Sequence, residues 1–205
     1  MMTLNFPKKM GLALIISTLM ACSHTEHIDV QNDEGEAVMS LDYRDFQTAA
    51  DEAVASLIQS GRLNKADGSR YILAISRIIN DTMQRIDTDQ LIKKIRVALL
   101  NSNKVLVTTA VSATQTAEDN MAMQVRKLRA SDEFKQSTVA KKGQLIAPDL
   151  SLSGKILQRN IKIDSDEQQV EYYFQLSLSD INTGLAVWEG ETFIGKRGDD
   201  TSVSW

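Results

Sequence analysis

The sequence predicts an α/β domain in which a mixed β-sheet is flanked by helices. Three observations predict it. Two apolar runs of strand length, within Arg70–Ile79 and Val105–Val111, bracket one amphipathic helical stripe. That is the pattern of a parallel strand pair joined by a helical crossover. In the C-terminal third, Val170, Tyr172, Phe174, Leu176 and Leu178 alternate strictly with polar or half-polar neighbours, as in a half-buried strand. Asn182-Thr183-Gly184 then supplies a hairpin turn, so antiparallel strands join the parallel pair.

The elements follow in order. Asp42 to Leu63 predicts a helix, because Phe46, Ala49, Ala50, Val54, Leu57 and Ile58 recur at three- and four-residue intervals; Gly61 sits where a C-cap glycine ends it. Arg70–Ile79 is nearly continuous in apolar residues and predicts a central strand covered on both faces. Asn80-Asp81-Thr82 breaks it. Asp87, with Gln90 three residues on, caps a second helix whose stripe is Leu91, Ile92, Ile95, Ala98 and Leu99, with Lys93, Lys94 and Arg96 facing elsewhere. Asn101 to Asn103 closes it, since asparagine tolerates the left-handed conformation of a helix terminus. Val105–Val111 is the second strand. A third helix is expected over Ala117–Lys135, with Met121, Val125 and Leu128 inward, followed by an exposed connection at 136–147. Leu150 to Ile163 is β, with Gly154 a bulge or close-approach point, and Asp164-Ser165-Asp166-Glu167 forms a turn. The last strand runs Leu185 to Ile194, with Trp188 as a core anchor, and the residues beyond it are polar.

Composition narrows the chemistry. A 205-residue chain that is 42% hydrophobic can build one ordinary core. Its net charge of −4 argues against nucleic acid as a partner. Histidine occurs only at His24 and His27, so the domain that follows contains none, which disfavours triad, acid–base and zinc chemistry. Those two histidines have an i, i+3 spacing, but a mobile acidic tail is a poor metal site. No glycine-rich phosphate loop or Gly-x-Ser-x-Gly occurs, and Ser137 and Lys141 are four apart instead of the three of an S-x-x-K site. Asp87/Asp89 and Asp164/Asp166 lie at caps or turns, and no calcium-loop glycine or bidentate glutamate follows the second pair. The sequence therefore offers no catalytic residue, no metal ligand set, no cofactor motif and no small-molecule substrate. Its most basic region carries Arg126, Lys127, Arg129, Lys135, Lys141 and Lys142, a solvated face or a surface for an anionic partner.

The N-terminus speaks to location. Lys8 and Lys9 precede an apolar run from Met10 to Ala21, too short for the roughly 20 residues of a membrane span and suited to a signal-peptide core. Leu19-Met20-Ala21-Cys22 resembles the lipobox of bacterial lipoproteins, and Cys22 is the sole cysteine. The resemblance implies cleavage before Cys22, lipidation of its thiol, and acylation of the new amino terminus. Buried acyl chains at roughly 0.8 kcal/mol per methylene hold such an anchor permanently. Ser23, in place of an aspartate, points to the outer membrane, periplasmic face. The expected organisation is a signal peptide at 1–21, an acidic flexible tether at 22–41 with Asp29, Asp33, Glu34 and Glu36, an α/β partner-binding domain at 42–197, and a polar tail at 198–205.

Several segments taken together resemble one family. They are Ile79-Asn80-Asp81-Thr82, Ile86-Asp87-Thr88 with Leu91, and Lys94-Ile95-Arg96 leading through Ala98-Leu99-Leu100-Asn101-Ser102 to Lys104-Val105. Leu152-Ser153-Gly154-Lys155-Ile156 and Asn182-Thr183-Gly184-Leu185 with Trp188, Gly190 and Glu191 complete the set. These look like the LpoB-type lipoprotein activators of class A penicillin-binding proteins. Asn103 stands where that family usually has glycine. The resemblance implies a domain like the N-terminal domain of TolB and a non-catalytic role. The anchored domain docks on a class A penicillin-binding protein and favours its active state. No partner-contact residue carries across, because the match is strongest in segments that define the fold. An alternative is a lipoprotein component of a secretion or flagellar assembly that shares the domain. A secretion pore needs extra strands of roughly 9–11 residues, and the chain has no spare hairpin for them.

Overall fold

A computed structural model describes residues 27–29, 35, 37–112 and 118–199. The chain divides into two units, 1–36 and Ala37–Trp205, and the fold belongs to the second. Its elements are helix α1 (Tyr43–Gln59), strand β1 (Tyr71–Asp81), helix α2 (Thr88–Asn101), strand β2 (Val105–Val107), short helix α3 (Asn120–Gln124), and strands β3 (Leu150–Lys162), β4 (Glu167–Asp180) and β5 (Ala186–Asp199). The five strands form one sheet in the order β2-β1-β3-β4-β5. β1 lies parallel to both β2 and β3, and the β3–β4 and β4–β5 pairs are antiparallel hairpins. The sheet is mixed, as expected.

Alternation along the strands sorts side chains onto two faces. Leu73, Ile75 and Ile78 of β1, Leu150, Leu152 and Ile156 of β3, and Val170, Tyr172, Phe174, Leu176 and Leu178 of β4 share one side and are buried. α1 and α2 bury their apolar stripes in the same cluster: Phe46, Ala49, Ala50, Val54 and Leu57 from the first, Leu91, Ile95 and Leu99 from the second. Each large aliphatic side chain buried there contributes roughly 1.5–3 kcal/mol. Phe46 meets Phe174 edge to face, with ring centroids 6.0 Å apart.

Local chemistry sets the boundaries. The Asp42 carboxylate accepts from the amides of Arg44 and Asp45, and Asp45 Oδ2 accepts from the Asp42 amide at 2.7 Å, a reciprocal capping box. Gly61 at φ 71° and Asn103 at φ 59° take the left-handed conformation after α1 and α2, as their sequence positions predict. Gly154 is a close-approach point. A Cβ there would lie 2.5 Å from the Gln175 carbonyl oxygen and from Leu176 Cδ2. Asp164 Oδ1 accepts from the amides of Asp166 and Glu167 in the β3–β4 turn.

The structure corrects several expectations. The folded unit begins at Ala37 instead of 42, because the end of the expected tether is fastened down. Met39 is buried and its carbonyl accepts from Tyr172 Oη at 3.0 Å. The Ser40 carbonyl accepts from Lys196 Nζ at 2.7 Å, and the Leu41 amide donates to Gln84 Oε1. The expected third helix is only one turn of α-helix, continued by 3-10 turns at Val125–Ala130 and Gln136–Thr138. Met121 is 58% exposed and none of these segments has a buried residue. β2 stops at Val107, because the Ala110 amide turns to Thr108 Oγ1. β1 is not covered on both faces throughout. A register shift between Ile75 and Ile78 precedes Ile79, which is 49% exposed. Arg96 does not face solvent; it is buried and paired with Glu118. β5 continues past Ile194 to Asp199, held through Lys196, while residues 200–205 lie outside the described residues.

Candidate functional site

The residues singled out from the sequence fall in three places. Cys22 and His24 lie outside the described residues, and His27 is exposed. Asp87 caps α2 through the Asp89 amide, and Asn80 closes a turn by donating to the Gln84 carbonyl while accepting from Thr82. Both act locally. Trp188 packs against the core and its ring fills the space over Gly190. Ser137 and Lys141 are exposed and form no joint site. Among the described residues, no group of three or more His, Cys, Asp or Glu is placed to hold a metal ion, and no helix is long and apolar enough to cross a membrane.

Among the described residues, two of the depressions open to solvent bear on small-molecule binding. One, of about 250 Å³, is lined by Asn160, Lys162, Asp164, Glu167 and Gln168 at the β3–β4 turn. The other, of about 320 Å³, lies over Gln175, Ser177, Glu189 and Glu191. Neither has the enclosed apolar lining that holds a small molecule.

The chain instead presents two surfaces. The first is the sheet face opposite the core, where Tyr173, Gln175 and Ser177 of β4 pair with Phe193, Glu191 and Glu189 of β5. The Tyr173 hydroxyl donates to Glu171 Oε2 at 2.7 Å, which pulls the carboxyl below its ordinary pKa and pushes the phenol above its own. The second is the β2–β3 connection, which holds the basic residues noted above. Here backbone carbonyls are gathered by side chains instead of by a core. Arg129 donates to the carbonyls of Ala140 at 2.6 Å and Lys141 at 2.8 Å. Gln136 Nε2 serves the carbonyls of Leu128, Ser131 and Phe134. Lys127, Lys135, Lys141 and Lys142 are exposed, and so are Met121, Met123, Phe134, Leu145 and Ile146. Met121 was expected from its helical spacing to face inward and is exposed instead, while Met123, Phe134, Leu145 and Ile146 were missed from sequence because they follow neither a helical nor a strand period.

A family model described as "Peptidoglycan-synthase activator LpoB" matches residues 45–194, from the first turn of α1 to the middle of β5. The chain belongs to the LpoB family. Solved structures that it resembles include the LpoB C-terminal domain from Escherichia coli, at 14% identity and TM-score 0.44, covering 73% of this chain and 98% of that one. The NMR structure of E. coli LpoB matches at 13% identity and TM-score 0.38, covering 95% and 91%. A lipoprotein from Neisseria meningitidis matches at 14% identity and TM-score 0.32, covering 65% and 87%. No curated protein sequence matches the chain. The LpoB family is by its description one of peptidoglycan-synthase activators.

Proposed function

We propose that this chain is an outer-membrane lipoprotein, anchored through Cys22 and facing the periplasm, that binds a class A penicillin-binding protein and activates it allosterically. The observation that carries the proposal is the LpoB family match across nearly the whole folded unit. Residues 1–21 are the signal peptide, residues from Cys22 form the tether, and the α/β domain ending near 197 meets the partner. No chemistry on the synthase substrate is required of this chain. Its effect depends on binding the active conformer of the synthase more tightly than the resting one; equal binding shifts nothing.

The test is direct. The full chain, purified in detergent with a class A synthase, is expected to raise the rate of glycan polymerisation on a lipid-linked disaccharide substrate. Mass spectrometry of the mature protein is expected to find acyl chains on Cys22, absent in Cys22→Ala. Unchanged polymerisation with no complex formed, or recovery of a secretion or flagellar assembly without any synthase, overturns the proposal.

A further inference from the structure

We infer that the β2–β3 connection, residues 119–146, is the surface that docks on the synthase, and that it fits a protein surface with an apolar centre and an acidic rim. This rests on the function proposed above and adds the docking face and its chemistry.

Three observations carry it. The first is charge. Six basic side chains stand against three acidic ones between residues 119 and 146, in a chain whose net charge is −4. The local excess is positive where the whole is negative, so an acidic partner is drawn to this region in preference to the rest of the molecule. The second is apolar exposure. Phe134 is 48% exposed and Ile146 69%, and Met121 and Met123 are exposed in the same segment. Large side chains of this kind anchor protein interfaces and gain nothing in water. The third is preorganisation. Arg129 and Gln136 between them bind five carbonyls and fold the segment back on itself, although it buries nothing. A segment ordered in advance loses less entropy when it binds.

An anionic membrane is the competing occupant, and the segment suits it poorly. Surface-binding elements are long amphipathic helices with a cationic face. This segment is one helical turn followed by 3-10 turns, and Asp132 and Glu133 sit beside Phe134, where lipid phosphates repel them. A protein surface places partners for both signs.

The experiment uses the full chain in detergent and a class A synthase, with affinity measured at several salt concentrations. Variant one combines Lys127→Glu, Lys135→Glu, Lys141→Glu and Lys142→Glu; variant two combines Phe134→Ser and Ile146→Ser. All six positions are exposed, so both variants are expected to melt like the wild type. Each is expected to weaken binding about tenfold or more, and the first to abolish most of the salt dependence. A control, Glu191→Lys with Phe193→Ser on the uncovered sheet face, is expected to bind normally. If the wild type binds and both variants bind equally well, the docking face is overturned while the proposed function stands. If the wild type binds no synthase, the proposed function falls and takes this inference with it. Variants that lose binding to phosphatidylglycerol vesicles but keep synthase binding overturn it in favour of a membrane surface.

Discussion

Replacing Lys196 by methionine is expected to destabilise the domain by about 2–3 kcal/mol, less than the roughly 3–5 kcal/mol typical of orphaning a buried charge. The Lys196 side chain is only 10% exposed, and its Nζ lies 2.5 Å from Asp45 Oδ2, 3.8 Å from Asp42 Oδ2 and 2.7 Å from the Ser40 carbonyl. Both carboxylates are also largely covered. Two features soften the loss. Methionine keeps much of the aliphatic packing of the stem. The carboxylates also retain the amides of α1, and Arg44 remains 2.9 Å from Asp42. For a domain of this size the effect corresponds to a melting shift of roughly 4–12 °C. Urea unfolding followed by circular dichroism measures it, and a double-mutant cycle with Asp45→Asn isolates the pair, with a coupling of about 1–2 kcal/mol expected. The pH dependence has a defined sign. Burial opposes ionisation of Asp42, but the side-chain and backbone bonds from Arg44, with the Lys196 charge, outweigh it and hold the carboxyl below its ordinary pKa. Its stabilisation is therefore complete above the ordinary carboxylate range and is lost as pH falls through the depressed value. Only the Lys196 share of that stabilisation is absent from the variant, because the Arg44 bonds remain. A loss under about 0.5 kcal/mol, or strict additivity in the cycle, refutes the reasoning.

Other expected outcomes follow from the same geometry. Burial pushes the Tyr172 phenol up to about 12 from an ordinary 10, so stability is complete below pH 10 and falls as pH rises toward 12. Tyr172→Phe should flatten that fall in alkaline unfolding titrations; an unchanged profile counts against it. Gly154→Ala should cost about 1–3 kcal/mol by forcing β3 and β4 apart, read from the urea midpoint, and a neutral result contradicts the close approach. Asp149 Oδ2 accepts from the Ile72 amide at 2.9 Å and from Lys65 Nζ at 3.0 Å, and the amide bond above all holds the carboxyl below its ordinary pKa. Asp149→Ala should cost about 1–2 kcal/mol at neutral pH and speed hydrogen exchange at Ile72, the difference disappearing in acid as that carboxyl protonates.

Local signals carried much of the fold. The alternation from Val170 to Ser179 reports β4 because one face is buried and the other wet. Gly61 and Asn103 report helix ends because the left-handed region admits few residues. What escaped the sequence depends on distant partners. Met39 looks like the end of an acidic tether until β4 and β5 are folded beneath it. Arg96 looks like a solvated cation until Glu118 arrives from beyond β2. The apparent period at Met121, Val125 and Leu128 predicted a helix with an inward face, but no element offers those residues a surface to bury. The basic residues of the candidate surface were visible as a cluster. Met123, Phe134, Leu145 and Ile146 and the Arg129 and Gln136 clamps were not, since none of them leaves a periodic trace.

The β2–β3 connection contributes no buried side chain to the domain among its described residues 118–147. Apart from Glu118, which pairs with buried Arg96 of α2, its sequence is consequently free to drift without disturbing the helices or the sheet. Exchanging residues 119–146 between relatives, with Glu118 kept, should transplant recognition while leaving the melting behaviour of the recipient untouched, so the scaffold and its choice of company are separable traits.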